Sequence, residues 1–460
     1  MLEEEFDDLA RQRLSVPARA PGGMSRRRFL QLTGAGAGLA AGASALGPML
    51  DQMRAYAAPP IGPTDGVLVL LMLDGGNDGL NMVVPRGVGR YYDLRPHIAI
   101  PPGQVLPLDA GAGLHPELTR IKALYDQGKV AVVQGVGYQP PDLSHFTSMG
   151  IWMNGWGGGA QPGGPTGWIG RYLDGLPNAA SESLYGVVMG SSVPLHMVGA
   201  VARASGLPQN ISGAFGIDRS HVEDARMFDT ISAFGGGPSQ LGQWGDLIAK
   251  TERNTLDLSQ RIQPAYQGAL PASDLGQKLV LCARLVNANL GIRVLSTNLG
   301  GFDTHSDQPT TQADLMTDLN ASVGAFYDTL SPTFRSRVTL VTFSEFGRRP
   351  EDNDTSGTDH GTAAPHFVIG DQVNGGLYGA QPSLTNLDPN GNLVNAVDFR
   401  QLYATILDQW LKADSREVLG YNFGNLGLFK KAGPATGGGS GGPGVPTRPV
   451  RRLRKRLTSA

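Results

Sequence analysis

Val67-Leu68-Val69-Leu70-Leu71-Met72-Leu73, closed by Asp74-Gly75-Gly76, is the stretch on which the fold turns. Seven apolar residues in a row, with no polar alternation, read as a strand buried on both faces, and such strands belong to parallel sheets covered by helices. The Asp-Gly-Gly that follows reads as a loop at the strand's carboxyl end. In an open α/β sheet those ends line one crevice, so Asp74 stands at a site position.

The pattern repeats outward. A helical spacing over Pro116–Asp126 leads through Gly128 into the strand Val130-Ala131-Val132-Val133-Gln134 and a loop ending at Ser144-His145-Phe146. An amphipathic helix over Ser273–Leu290 feeds the strand Ile292–Ser296 and then Gly300-Gly301-Phe302-Asp303-Thr304-His305. Leu315, Leu319, Val323 and Phe326, three and four apart, predict a helix over Gln312–Leu330. The strand Val338–Phe343 comes next and delivers Ser344-Glu345-Phe346-Gly347-Arg348. After Gly357-Thr358-Asp359-His360-Gly361 and the segment His366–Gly370, a last helix spans about Phe399–Leu411. The fold class is therefore α/β, a mostly parallel sheet flanked by helices. Residues 200–270, with scattered Gly, Pro and Asn, read as a smaller insertion region. The Gly-rich run at 155–170 lacks the Gly-Lys-Ser/Thr ending of a phosphate-cradling loop and reads as an ordinary loop.

The two ends of the chain have a different character. Ser25-Arg26-Arg27-Arg28-Phe29-Leu30 matches the pattern of twin-arginine signals; a Gly/Ala-rich apolar stretch follows, and Ala55-Tyr56-Ala57 offers a small-x-small cleavage site. Residues 1–57 are read as a twin-arginine signal peptide, with the twin-arginine translocase as a partner and an exported mature chain. The apolar stretch is too weak for a membrane anchor, so no transmembrane anchor is expected in the mature chain. Residues 431–460 read as a disordered Gly/Pro-rich tail. Seven of its thirty residues are basic and none is acidic, which suits contact with an anionic envelope polymer or lipid, or a merely solvated tail. The domain proper is then 58–430.

Composition narrows the function. A net charge of -2 gives no reason to expect nucleic acid. The single cysteine, Cys282, lies in an apolar helical pattern, so no intramolecular disulfide forms and a core thiol is expected. With no dinucleotide fingerprint, haem motif or cysteine cluster, an oxidoreductase is disfavoured.

Asp74, Asp303, His305 and Glu345 follow three strands, and Asp359, His360 and His366 lie just downstream of the third. Oxygen ligands mixed with imidazoles suit Zn, Mn, Mg or Ca rather than a thiolate metal. Each residue also has a structural reading. Asp74 and Asp303 fit turns or caps, His305 and His366 fit packed neutral imidazoles, and Glu345 fits an ion pair with Arg348.

Leu73-Asp74-Gly75-Gly76-Asn77-Asp78, Ser144-His145-Phe146, Gly301-Phe302-Asp303-Thr304-His305, Ser344-Glu345-Phe346-Gly347-Arg348 and Gly357-Thr358-Asp359-His360-Gly361 occur in order. Over roughly residues 65–430 they resemble the twin-arginine exported family known as domain of unknown function 1501. That family is grouped by fold with the alkaline phosphatase, sulfatase and cofactor-independent phosphoglycerate mutase superfamily. The resemblance implies an alkaline phosphatase-like domain with one or two divalent metals at the sheet's carboxyl edge and a nucleophile at a helix N-terminus. In a two-metal version the ions stand about 3.5–4 Å apart. The implied metal ligands are Asp74, Asp303, His305, Asp359 and His360, and the implied nucleophile is Ser144, with Thr147 and Ser148 as rivals and an N-cap role as the structural alternative. His145, Glu345, His366 and Arg348 are further site candidates.

This sequence departs from the superfamily pattern. One residue separates Asp303 from His305, Glu345 follows the strand where Asp-His is usual, and Asp359-His360-Gly361 falls on a later loop. The expectation is an exported metal-dependent hydrolase of phosphate or sulfate esters. The alternative is a non-catalytic envelope-binding protein on the same scaffold.

Overall fold

In a computed structural model the described residues are 60–430, apart from 63–64, 110, 159–164 and 210–260, of which last stretch only Val222 and Arg226 are described. The segments expected to be a signal peptide (1–57) and a tail (431–460), and most of the expected insertion region (200–270), therefore lie outside them.

Among the described residues there are twelve strands: β1 (Val67–Asp74), β2 (Val83–Val84), β3 (Leu106–Pro107), β4 (Gly113–Leu114), β5 (Val130–Gly137), β6 (Gly186–Met189), β7 (Ser205–Leu207), β8 (Val294–Gly300), β9 (Val338–Phe343), β10 (Ala364–Ile369), β11 (Gly376–Gly379) and β12 (Val397–Asp398). Nine form one sheet in the order β11-β5-β10-β9-β1-β8-β6-β7, with β12 also on β5; β2, β4 and β3 form a small antiparallel sheet. β1 lies between β8 and β9 and is parallel to both. Its central place explains its unbroken apolar run. Val67, Val69, Leu71 and Leu73 enter one core, while Leu68 and Leu70 enter the core on the opposite face.

Among the described residues, six α-helices of seven residues or more cover these faces. The first core packs α1 (Thr119–Asp126), α4 (Asp274–Asn287) and α5 (Gln308–Thr329). The second packs α2 (His145–Asn154), α3 (Trp168–Asp174) and α6 (Phe399–Thr405). Ser273 caps α4 by accepting a hydrogen bond from the Gly276 N–H at 3.1 Å, and Leu275, Leu279, Leu281, Leu285 and Val286 bury its apolar stripe. Each such side chain contributes about 1.5–3 kcal/mol on full burial. Cys282 is a fully buried core thiol, as its surroundings in the sequence imply. Helix α6 does not stay regular: after Thr405 it widens into a π turn over Ile406–Leu411. Among the described residues no helix is long and apolar enough to cross a membrane.

Within the large sheet β10 alone runs against its neighbours, antiparallel to both β5 and β9. No crossover helix stands between β9 and β10. Without one the chain re-enters beside the strand it has just left in the opposite sense. The connection, residues 344–363, is thereby left at the carboxyl edge of β1, β8 and β9.

His366 sits inside β10 and is fully buried, with its ring edge-on to Trp152 at 5.3 Å. Neither ring nitrogen has a hydrogen-bond partner. Burial lowers its pKa to about 3, and the same cause lowers that of His196 to about 3. Both lie below the unfolded value of about 6.5, so the unfolded chain takes up protons first as pH falls. Stability is thus full above pH ~6.5 and declines toward pH ~3, by about 1.4 kcal/mol per pH unit for each histidine. In urea unfolding at stepped pH, His366→Leu is expected to remove one histidine's share of that slope. An unchanged slope would contradict the burial argument.

Candidate metal centre

Three turns meet at the carboxyl edge. The first leaves β1 at Asp74 through Gly75 and Gly76, whose φ angles of +118° and +73° are left-handed. A Cβ on Gly76 would stand 2.4 Å from the Phe346 ring, so the close approach of the first and third turns needs glycine there. The second turn leaves β8, and the Phe302 N–H donates to the Asp74 carbonyl at 3.1 Å. The third leaves β9 through Ser344-Glu345-Phe346-Gly347-Arg348 and returns by an antiparallel bridge between Arg348 and His360.

These turns and the start of α2 bring four side chains together. His305 Nε2 and His360 Nε2 each lie 3.1 Å from Asp303 Oδ1, and 3.0 Å from one another. His145 Nε2 lies 3.5 Å from Asp303 Oδ2. His145, Asp303 and His360 each offer one ligand atom within 4.8 Å of the others.

The opposite nitrogen of each ring is anchored. His360 Nδ1 donates to the Leu143 carbonyl at 2.9 Å, His145 Nδ1 faces Glu345 Oε1 at 2.8 Å, and His305 Nδ1 faces Asp359 Oδ1 at 3.3 Å. A carbonyl only accepts, so the proton of His360 is on Nδ1 and its Nε2 is free to face the centre. Phe346 is wedged beside two of the rings, 4.9 Å from His145 and 4.7 Å from His360 between centroids.

Arg348 is fully buried and holds the arrangement from beneath. It donates to Asp303 Oδ1 at 2.7 Å and to the carbonyls of Gly75, Gly76, Phe302 and Thr358 at 2.5, 2.6, 3.0 and 2.8 Å. Burial works to raise the Asp303 carboxyl, but the hydrogen bond and positive charge of Arg348, with the imidazoles beside it, outweigh burial and hold it down at about 2. Asp303 is therefore a carboxylate at any ordinary pH.

The structure brings Asp303, His305 and His360 within about 3 Å of one another, and His145 joins Asp303 and His360 in a set whose ligand atoms all lie within 4.8 Å. Asp359 stands behind His305 rather than at the shared centre. Asp74 is half-buried, and among the described residues its carboxylate makes no hydrogen bond to the three histidines. Burial and the neighbouring Glu345 push its carboxyl up, with His145 offsetting part of the shift. Ser144 is exposed at the N-cap of α2, where its side chain makes no capping bond. Ser148 is instead buried, donating to the Glu345 carbonyl at 2.5 Å and accepting from Tyr138 at 2.9 Å. His366 lies in the β10 interior, packed against Trp152, with neither ring nitrogen hydrogen-bonded, and contributes nothing to the imidazole cluster. The part missed from sequence is the framing role of Phe346 and the Leu143 carbonyl. The aromatic inside Ser-Glu-Phe-Gly-Arg was the one local signal for the former.

An α/β protein with an imidazole–carboxylate cluster at the carboxyl edge of its parallel strands is the class that fold and site define. Residues 131–432 match the family described as "Protein of unknown function (DUF1501)", and the chain belongs to that family. No curated protein matches it in sequence. Among solved structures it is similar to a protein in the alkaline phosphatase superfamily from Vibrio parahaemolyticus, at 9% identity and TM-score 0.32, over 80% of this chain and 77% of that one. It is also similar to alkaline phosphatase from the Antarctic bacterium TAB5, at 12% identity and TM-score 0.28, over 66% of this chain and 92% of that one. Likeness at that level does not map single residues of those proteins onto single residues here.

Proposed function

We propose that the protein is a divalent-metal-dependent hydrolase of phosphate or sulfate esters, exported by the twin-arginine route. One observation carries the metal: three imidazole Nε2 atoms gather around a single carboxylate, and the buried Nε2 of His145 has no hydrogen-bond partner. Lone pairs so placed repel one another unless a cation stands among them. The donor chemistry fits one. Tetrahedral zinc bonds of about 2.0–2.1 Å put neighbouring ligand atoms about 3.3 Å apart; the nitrogens that meet Asp303 stand 3.1 to 3.5 Å from its oxygens, and the ligand atoms of His145, Asp303 and His360 all lie within 4.8 Å of one another.

His145, His305, His360 and Asp303 would hold the ion. Three imidazoles with one carboxylate favour Zn, or Mn with less affinity, over Mg and Ca, which prefer oxygen cages. When bound, such an ion polarises an ester oxygen and acidifies water. The chain's own groups do the rest: Arg348 fixes Asp303, the Leu143 carbonyl keeps the proton of His360 on Nδ1, and the half-exposed faces of Asp303 and His305 leave substrate a way in.

Ser144 Oγ has no base within hydrogen-bond reach among the described residues, and a serine nucleophile needs one or a metal beside it. In assays of aryl phosphates and sulfates with and without chelator, hydrolysis is expected only with metal. Ser144→Ala is expected to keep turnover within about tenfold; abolished turnover with metal retained would give the attack to Ser144. For export, Arg26→Lys with Arg27→Lys is expected to trap the chain in the cytoplasm, and normal secretion of that variant would remove the twin-arginine reading.

A second reading has an observation of its own. Arg348 already neutralises Asp303, so a single proton on the imidazole pair could knit the cluster as a structural network in a non-catalytic binding protein. Metal-loaded protein that hydrolyses none of these esters would favour it.

A further inference from the structure

Glu345 gives no atom to the cluster, yet it is the carboxylate most enclosed beside it, with a fully buried side chain. Taking a carboxylate out of water is costly unless every lone pair finds a donor. Its Oε1 accepts from the Gly75 N–H at 3.0 Å and faces His145 Nδ1 at 2.8 Å, and its Oε2 lies 3.1 Å from Ser344 Oγ. Ser344 has one proton and two acceptors in reach, with the Leu73 carbonyl nearer at 2.7 Å, so the hydroxyl serves Glu345 weakly. The Arg348 guanidinium is committed to Asp303 and four carbonyls. That leaves the His145 ring as the side-chain donor that satisfies Oε1.

We propose that Glu345 is a positioning residue: it holds the proton of His145 on Nδ1, aims the Nε2 lone pair into the cluster, and makes that nitrogen a stronger donor. The consequence for metal affinity rests on the metal-centre reading above, whereas the tautomer is a property of the chain alone. A carboxylate behind a ligating histidine commonly changes affinity 10–100-fold. The rival role is structural, with Glu345 serving only as an acceptor for Gly75.

Glu345→Gln separates the two. Glutamine can keep an oxygen toward Gly75 and His145 and turn its amide toward Ser344 Oγ, so size and bond count persist while the charge goes. In full-length protein with no metal added, at pH 8, nitrogen NMR of the labelled imidazoles should show His145 as the Nδ1–H tautomer, shifting toward a mixture in Glu345→Gln. Zinc affinity by chelator competition should weaken about 10–100-fold in Glu345→Gln, and change less than about twofold when the same substitution is made in a His145→Ala background. An Nε2–H tautomer in the wild type, or equal loss in both backgrounds, overturns the assignment. If the wild type binds no zinc, the metal reading fails while the tautomer still decides this one. The wild-type spectrum also decides it should Glu345→Gln not fold.

Discussion

Asp303→Asn is expected to abolish divalent-metal binding while leaving the fold intact. Asp303 is the carboxylate at the centre of the cluster: 3.1 Å from His305 and His360, 3.5 Å from His145 and 2.7 Å from Arg348. Asparagine keeps the shape and can still accept from Arg348, but it removes the negative charge around which the imidazoles gather. An amide also turns a donor toward lone pairs. The loss should exceed the 10–100-fold that a change behind a ligand costs, so about 100-fold or more in zinc affinity. The half-exposed position of Asp303 makes a change in global stability small by comparison. Competition against a chelator, with circular dichroism alongside, checks both halves. Unaltered affinity in a folded Asp303→Asn protein would move the ion elsewhere.

Arg348→Ala should instead be a folding defect. Its guanidinium ties the ends of β1 and β8 and the loop after β9 into one body through four carbonyls and a carboxylate. The ion pair to the half-exposed Asp303 adds little, but the carbonyls left without donors cost about 1–3 kcal/mol each where they stay dry. A lysine at 348 keeps the charge but not the planar fork, and it should recover less than half of that loss. Denaturant unfolding of the three proteins measures this directly. Wild-type stability in Arg348→Ala would mean that the three turns are held by something other than the arginine.

The contrast between these two variants shows which parts of the site were readable in the chain. β1 and β9 announce themselves because strands covered on both faces have nowhere to place a polar residue, while Asp303 and His305 follow β8 and His360 lies on the loop after β9. What a linear sequence does not carry is direction. His145 and Ser144 are neighbours, yet the pitch of α2 turns the imidazole inward and leaves the serine exposed. Asp359 and Asp303 flank the same histidine, and only the ring's orientation decides which of them meets the shared centre. The reversal of β10 was equally hidden, because a buried strand has the same composition whichever way it runs. His366 shows the converse error of sequence reasoning: a histidine close to the motifs in number, packed against Trp152 in fact.

Ser-Glu-Phe-Gly-Arg is instructive for a related reason. It supplies no ligand atom to the cluster, but Glu345 backs one imidazole, Phe346 is wedged beside two, and Arg348 holds the carboxylate. A motif of this kind reads as a site from its place after a strand. Its actual task, setting the orientation of residues contributed by other turns, follows only from the contacts.

The most direct test is elemental analysis of the full-length protein purified without chelator, with zinc affinity measured after dialysis and reloading. The account predicts one equivalent of a divalent transition metal per chain, lost from folded Asp303→Asn protein. Protein that is folded, carries no metal and takes up neither zinc nor manganese on soaking would contradict it, and would leave the three histidines and Asp303 as a proton-linked structural network.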